Sequence, residues 1–321
     1  MKFDWFLKGM IVAVMLAFAF PEPGAHGGFL HPEMLNKLGI ALVFFLNGLS
    51  LSMNSLRQGA ARWRAHVLVQ LSTFLIFPLL GLLMMQFGKT WISTDLLLGF
   101  FYLCALPSTV SSSVALTVTA KGNVPVALFN ATLSSLIGVV LTPLWMAFVM
   151  GNESQSLDVF PVMMDLLIWL IAPLLAGQLS RPWLNGWALR HKTQINKVDR
   201  LTILTLVYTS FSDSVQQGIW SSYSSSLLVE VVIICGLLFF VIYGFTQFFA
   251  HMMKLPEEDR IAAVLCGSKK TLASGVPMAH LIFGAHPALG LILIPIMLYH
   301  PLQLAVGGLI AQRWGSRQLN V

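Results

Sequence analysis

Residues 103–125 read LCALPSTVSSSVALTVTAKGNVP, and residues 265–287 read LCGSKKTLASGVPMAHLIFGAHP. In each, a polar run interrupts an apolar, helix-like stretch: Pro107 to Ser113 in the first, Gly267 to Gly275 in the second. A shift of 162 positions lays Cys104 on Cys266, Thr109 on Thr271, Ser112 on Ser274, Gly122 on Gly284 and Pro125 on Pro287. The chain therefore contains an internal repeat with one interrupted helix per copy. Hydrocarbon offers no partners to backbone amides, so irregular backbone at membrane depth survives only where it is buried in protein or lines a wet cavity. Matched interruptions in two halves of a membrane chain point to the binding site of a secondary transporter. The plainer alternative is a pair of proline-kinked helices with no ligand.

The rest of the chain has the composition of a membrane protein. Apolar residues make up 56% and charged residues only 10%, with a mean hydropathy of +0.78, whereas soluble domains carry about 25% charged residues. Hydropathy predicts ten spans near 4–20, 34–53, 64–87, 94–119, 123–150, 158–180, 197–214, 225–251, 257–284 and 287–311, each close to the ~20 residues that cross a ~30 Å core. The first span lacks a small-residue cleavage site and reads as helix one, not a removed signal. No soluble domain fits in the loops. Cys104, Cys235 and Cys266 all fall inside spans, which leaves no disulfide framework or metal-binding CxxC pair.

The net charge of +6 reads through the loops and not as a nucleic-acid signal, because Lys and Arg in short loops set membrane orientation. With the N-terminus inside, fifteen basic residues, from Lys2, Lys8 and Arg57 to Arg313 and Arg317, fall on the cytoplasmic side, against Lys37 and Lys89 outside. Both termini are thus expected in the cytoplasm, with the chain in the inner membrane of the cell. Only Lys269 and Lys270 lie deep in the bilayer. The chain divides into repeat one (1–151) and repeat two (158–314), each of five spans with the interruption in the fourth. Five is odd, so the repeats run in opposite senses, the inverted arrangement of many transporters. The expected fold is an all-α polytopic bundle of ten helices, two inverted five-helix repeats, with helices four and nine broken and crossed.

Candidate polar groups cluster at the interruptions. The first offers Ser108, Thr109, Ser111, Ser112 and Ser113; one or two of these serve as helix caps and the others are free to bind a solute. Helix five places Asn130 and Ser134 on one face at i and i+4, with Thr132 beside them. Asn47, mid-span in helix two, either bonds a neighbouring helix or lines the cavity. The second interruption adds Lys269, Lys270, Thr271 and Ser274. Counting from the start of helix nine near Glu257, Lys269 lies about eleven residues, or ~16 Å, into the core, a depth from which snorkelling is poor. Each lysine is either a solute-binding or paired cation or an ammonium held by backbone carbonyls of the break. Asp213 and Glu230 sit near span ends, where water reaches them. His280 and His300 read as hydrogen-bonded packing residues.

The stretch AKGNVPVALFNATLSSLIGVVLTP after the first interruption, and KKTLASGVPMAHLIFG with IPIMLYHPLQ after the second, resemble the bile acid:sodium symporter family. They look like its divergent orphan branch, which holds a bacterial member classed as a symporter and vertebrate members not known as bile acid carriers. The resemblance spans the chain. It implies a core of helices 3–5 and 8–10 with helices four and nine crossed, a panel of helices 1, 2, 6 and 7, and solute carried where core and panel meet. It also exposes departures. The sodium-binding glutamate, glutamine and asparagine of helix nine in better-known members correspond here to Leu265, Lys269 and Lys270. A serine–asparagine pair of helix four corresponds to Ser113 and Val114, and two hydroxyl ligands of helix five to Ala127 and Ala131. Asn130, Thr132 and residues 111–113 remain for a shifted site.

The expected function is therefore secondary transport of a small or amphipathic organic anion, with Lys269 or Lys270 supplying the charge that sodium supplies in relatives. No cofactor or resident metal is expected, H+ or Na+ being the possible coupling ion, and the partners are the lipid bilayer and the anion, not nucleic acid. A different class of function, a non-transporting membrane regulator of another transport or ion-homeostasis system, keeps the same scaffold. An enzyme is the weakest reading, for no carboxylate pair, metal cluster or nucleophile elbow is present.

Overall fold

The computed structural model describes residues 5–50, 60–151, 164–165, 167–222, 226–284 and 286–317. Lys2, Arg57 and the side chain of Arg317 from the charge count lie outside the described residues. In chain order the helices are α1 (Trp5–Ala19), α2 (Pro32–Ser50), α3 (Trp63–Gly88), α4 (Thr94–Ala105), α5 (Ser111–Thr119), α6 (Val124–Met150), α7 (Ala172–Arg190), α8 (Lys192–Gln216), α9 (Leu227–Met252), α10 (Glu257–Gly267), α11 (Gly275–Phe283) and α12 (Leu289–Arg317). Among the described residues there is no strand. Helices α3, α6, α9 and α12 are each long and apolar enough to cross a bilayer. Both interruptions are present: α4 stops at Ala105 and α5 starts at Ser111, while α10 stops at Gly267 and α11 starts at Gly275. The first break is shorter than the sequence suggests. Val110 is already in the helical region (φ −86°, ψ −65°), and its carbonyl accepts the Val114 N–H at 3.1 Å, so residues 111–113 form the first turn of α5 and not the break itself.

The chain divides into two units, one of residues 1–51, 147–225 and 273–293, the other of residues 52–146, 226–272 and 294–321. In the first, α2 and α7 meet backbone to backbone. A Cβ on Gly48 would stand 2.0 Å from Leu174 O, and one on Gly177 2.1 Å from Phe45 O. Small residues of this kind let helices approach where lipid supplies no hydrophobic drive. Between α1 and α8, the Arg200 guanidinium lies over the Trp5 and Phe6 rings. On α11, His280 Nε2 meets Ser210 Oγ at 2.8 Å and Leu206 O at 3.0 Å, the packing role expected of it. In the loop before α2, the His26 N–H donates to Asp213 at 2.6 Å and the His26 ring pairs with Glu33 at 2.6 Å. Glu33 is held below the usual carboxylate range. Its own backbone N–H is the largest cause, burial opposes it, and the Gly27 N–H and the imidazoles of His26 and His31 add to it.

In the second unit α10 is the buried centre. Every residue from Ile261 to Cys266 is in its core, against Ala65, Val69, Ala120, Ala127, Ala250 and Ala311, and these short side chains let several helices surround one. The start of α10 is pinned by buried Asp259, which accepts Asn123 Nδ2 at 2.7 Å and pairs with Arg62 at 3.4 Å. Helix α6 runs hard against the first break, where a Cβ on Gly138 would fall 2.6 Å from the Pro107 ring.

Candidate functional site

Pro78 decides where the site forms. It lacks an N–H, so the α-helical partner of Phe74 O is missing. Residues Ser72–Ile76 take up a π turn, in which the Phe77 N–H reaches back to Ser72 O, and the π partner of Thr73 O would again be Pro78. Two buried carbonyls are thus orphaned at one place, and each must be satisfied. Trp145 Nε1 donates to Phe74 O at 3.0 Å. The Lys270 ammonium donates to Thr73 O at 2.9 Å.

The breaks satisfy one another in the same manner. A helix end leaves its last carbonyls without donors. At the end of α4, Lys270 Nζ donates to Cys104 O at 2.7 Å and Leu106 O at 2.6 Å, and the Thr271 N–H donates to Pro107 O at 3.0 Å. In return Ser108 Oγ donates to Cys266 O at 2.6 Å, while the Ser108 N–H donates to Ser134 Oγ at 2.9 Å. Helix α12 closes the second break: Tyr299 OH donates to Ser268 O at 2.9 Å. The Gln303 amide accepts the Lys270 N–H at 2.8 Å and donates to Lys270 O at 2.7 Å. The two interrupted segments are in contact, and these freed backbone groups of one are met by donors of the other.

The two adjacent lysines have opposite fates. Both are fully buried. The three N–H donors of Lys270 are all used on carbonyls, and its Nζ stands 4.1 Å from the centroid of the Phe77 ring, a cation–π distance. Lys269 Nζ, by contrast, is buried with no hydrogen-bond partner among the described residues. Helix α12 leaves it room, since a Cβ on Gly307 would lie 3.5 Å from both its Cε and Nζ.

Of the other expected site residues, Ser108, Thr109, Ser113, Asn130, Thr132, Ser134 and Thr271 are buried in the same unit. Thr109 Oγ1 bonds Ser112 Oγ, and Ser113 Oγ is 3.5 Å from Leu265 O. Asn130 is turned to α3, where Gln70 Nε2 donates to its backbone and side-chain oxygens at 3.3 Å. Ser111 is exposed. Asn47 and Ser274 belong to the other unit, Asn47 exposed on α2 and Ser274 at the start of α11. The sequence did not single out Gln303, Tyr299, Phe77 or Trp145; a glutamine in an apolar span, two residues after Pro301, was the one available signal. Of the positions matched to family sodium ligands, Leu265, Val114, Ala127 and Ala131 carry no side-chain oxygen, Lys269 and Lys270 carry amines, and Ser113 carries a hydroxyl. Among the described residues, no group of three or more His, Cys, Asp or Glu is placed to hold a metal.

The model of the SBF-like CPA transporter family matches residues 4–316. The chain belongs to this family. Relatives within reach of the SBF-like CPA family include the Escherichia coli protein named "Putative symporter YfeH", 40% identical over 315 residues covering 97% of this chain and 92% of that one. An uncharacterized protein of Pseudomonas aeruginosa is 39% identical over 315 residues, 98% and 94% of the two chains. The mouse protein named "Sodium/bile acid cotransporter 7" is 31% identical over 310 residues, 96% and 91%. The resemblance to a divergent branch of the bile acid:sodium symporters is thereby borne out along the whole chain. As a member of the SBF-like CPA family the chain is a multi-pass membrane transporter, with the bilayer and a small solute as its partners.

Proposed function

We propose that the chain is a secondary transporter of a small or amphipathic organic anion, working by alternating access in the inner membrane with both termini cytoplasmic. The observation that carries this reading is the Lys269 amine, wholly buried beside a helix break and without a hydrogen-bond partner among the described residues. An uncompensated ammonium in a low-dielectric interior costs several kcal/mol, and an anionic group on a solute is the partner that turns this cost into a charge-assisted hydrogen bond. Lys270 is unsuited to the role because its donors are spent. The matched breaks, α4/α5 and α10/α11, support ten spans in two inverted repeats. One unit gathers α1, α2, α7 and α8, which supports a panel unit, together with α11, the second part of the helix nine expected in the core.

Sodium is not the coupling ion at the crossing in this proposal. A sodium ion ~4 Å from an ammonium would meet roughly 4 kcal/mol of repulsion at an effective dielectric of 20. Coupling then falls to a proton exchanged at Lys269, or is absent, with the ammonium simply pairing with the anion. Purified protein in proteoliposomes, offered a panel of amphipathic carboxylates and sulfonates under sodium and pH gradients, tests this. Flux without sodium is expected, and Lys269→Gln should weaken it at least tenfold, the equivalent of about 1.4 kcal/mol. Lost pH dependence in that variant indicates proton coupling; lost affinity under every gradient indicates pairing alone. No flux of any anion by the purified protein would favour a regulator instead, and flux that saturates with sodium and survives Lys269→Gln would defeat the reading.

A further inference from the structure

We propose that the carbonyl oxygens of Thr73, Cys104 and Leu106 form a monovalent-cation site that the chain occupies with its own Lys270 ammonium, and that a free small cation takes this place when the side chain is shortened. Three oxygens, one from α3, one from α4 and one from the extended residue that follows α4, converge on one point at 2.9, 2.7 and 2.6 Å, within the range of charge-assisted N–H···O bonds. Each of the three lacks a donor of its own helix: Thr73 O because of the π turn and Pro78, Cys104 O and Leu106 O because α4 ends at Ala105. Thr73 O and Cys104 O cannot turn away without breaking α3 and α4, so they stay aimed inward whatever fills the centre, and Leu106 O follows directly on the end of α4. The Phe77 face completes the shell at 4.1 Å. The oxygens holding Nζ are all neutral carbonyls, as in ion filters that replace hydration with backbone dipoles. Such a shell suits ammonium, methylammonium or an alkali ion and offers nothing to an anion.

None of the three carbonyls belongs to a residue that the sequence resemblance matches to a sodium ligand, although Lys270, which fills their centre, stands at one such position. The inference also does not depend on the solute: it concerns a tethered ion that fixes the crossing of the two breaks at one cation per chain, regardless of the salts in the bath. A transporter closed in this manner keeps its broken helices assembled in sodium-free medium.

The test is thermal unfolding of the purified full-length Lys270→Ala protein in choline chloride, with choline replaced stepwise by ammonium, methylammonium, potassium or sodium at constant ionic strength. The variant should melt several degrees below wild type in choline and recover at least half of that loss, saturably, with one or more of the small cations. Wild type and Lys270→Met, whose side chains fill the space, should not respond. The proposal is overturned if no cation moves the Lys270→Ala midpoint relative to choline, or if wild type moves equally. Lys270→Ser is carried through the same series in case the alanine protein does not accumulate, and recovery of either variant only from ammonium- or potassium-containing buffers counts as support. If neither can be purified in any of these salts, the proposal fails, since an open site would have been refilled. Anion flux does not enter these readouts, so a failure of the transport reading leaves them standing.

Discussion

Replacing each of the two lysines by methionine should separate a structural cation from a functional one. Lys270→Met leaves three buried carbonyls without donors, at about 1–3 kcal/mol each, and removes a desolvated cation–π contact worth about 2 kcal/mol. Recovery of the ammonium's own desolvation cost offsets part of this, and the net should fall near the ~3–5 kcal/mol seen when one partner of a buried pair is removed. At ~2 °C per kcal/mol, the lower end for chains of this size, the midpoint should drop by about 6–10 °C. Lys269→Met strands no partner among the described residues, and a near-isosteric apolar chain should change stability by less than ~1 kcal/mol or raise it. The assay is thermal unfolding of both variants in one detergent at one scan rate, since membrane proteins unfold irreversibly and only matched midpoints compare. Equal shifts for the two variants, or a large loss confined to Lys269→Met, would refute the division of roles drawn from the hydrogen bonds.

Three further outcomes are expected. Gly138→Ala places a methyl 2.6 Å from the rigid Pro107 ring and should destabilise by about 1–3 kcal/mol through overpacking, read as a lowered midpoint; an unchanged midpoint would mean that α6 and the first break part freely. Trp145→Phe orphans Phe74 O at about 1–2 kcal/mol, but in a Pro78→Ala background the restored N–H can serve that carbonyl, so a double-mutant cycle should give a smaller loss for the pair than the sum of the singles, and strict additivity would contradict the account of the π turn. In the loop before α2, the Glu33 carboxyl lies below its unfolded value, so its hold on the Gly27 N–H is present at neutral pH and lost as acidification passes the folded value. Hydrogen exchange at Gly27 should therefore depart upward from its intrinsic trend in wild type only once the pH falls below the ordinary glutamate value of about 4.3, and Glu33→Gln should abolish that departure.

Much of the fold was legible because bilayer chemistry constrains sequence strongly. An apolar run of span length has few other uses, and a polar, proline-bearing interruption has to be buried or wet, so both broken helices are legible in the sequence. The 162-residue offset locates the second break from the first for the same reason: the aligned Thr109 and Thr271 each lie in a stretch that must exchange its hydrogen bonds with another segment, and the Thr271 N–H does bond Pro107 O. The boundary of the first break was less legible. Serines 111–113 serve equally as break or as first helical turn, and only the helical backbone of Val110 assigns them to α5.

The division between Lys269 and Lys270 could not be read in the same way. Helical and strand periodicities tell which face a side chain takes, but residues 268–274 follow neither, so adjacent lysines had no assignable direction. What turns Lys270 toward α3 and α4 lies far upstream, 164 to 197 positions away: Pro78 strips Thr73 O of its donor, and the end of α4 strips two more carbonyls. The requirement that every buried carbonyl be satisfied therefore selects one lysine as the donor. Gln303, clamped to both backbone groups of Lys270, fixes the peptide so that the neighbouring side chain must leave on another side, where Gly307 gives it room. That the amine of Lys269 has no partner among the described residues is thus a consequence of how Lys270 is bound, and two adjacent letters of the sequence become a strut and an uncommitted amine.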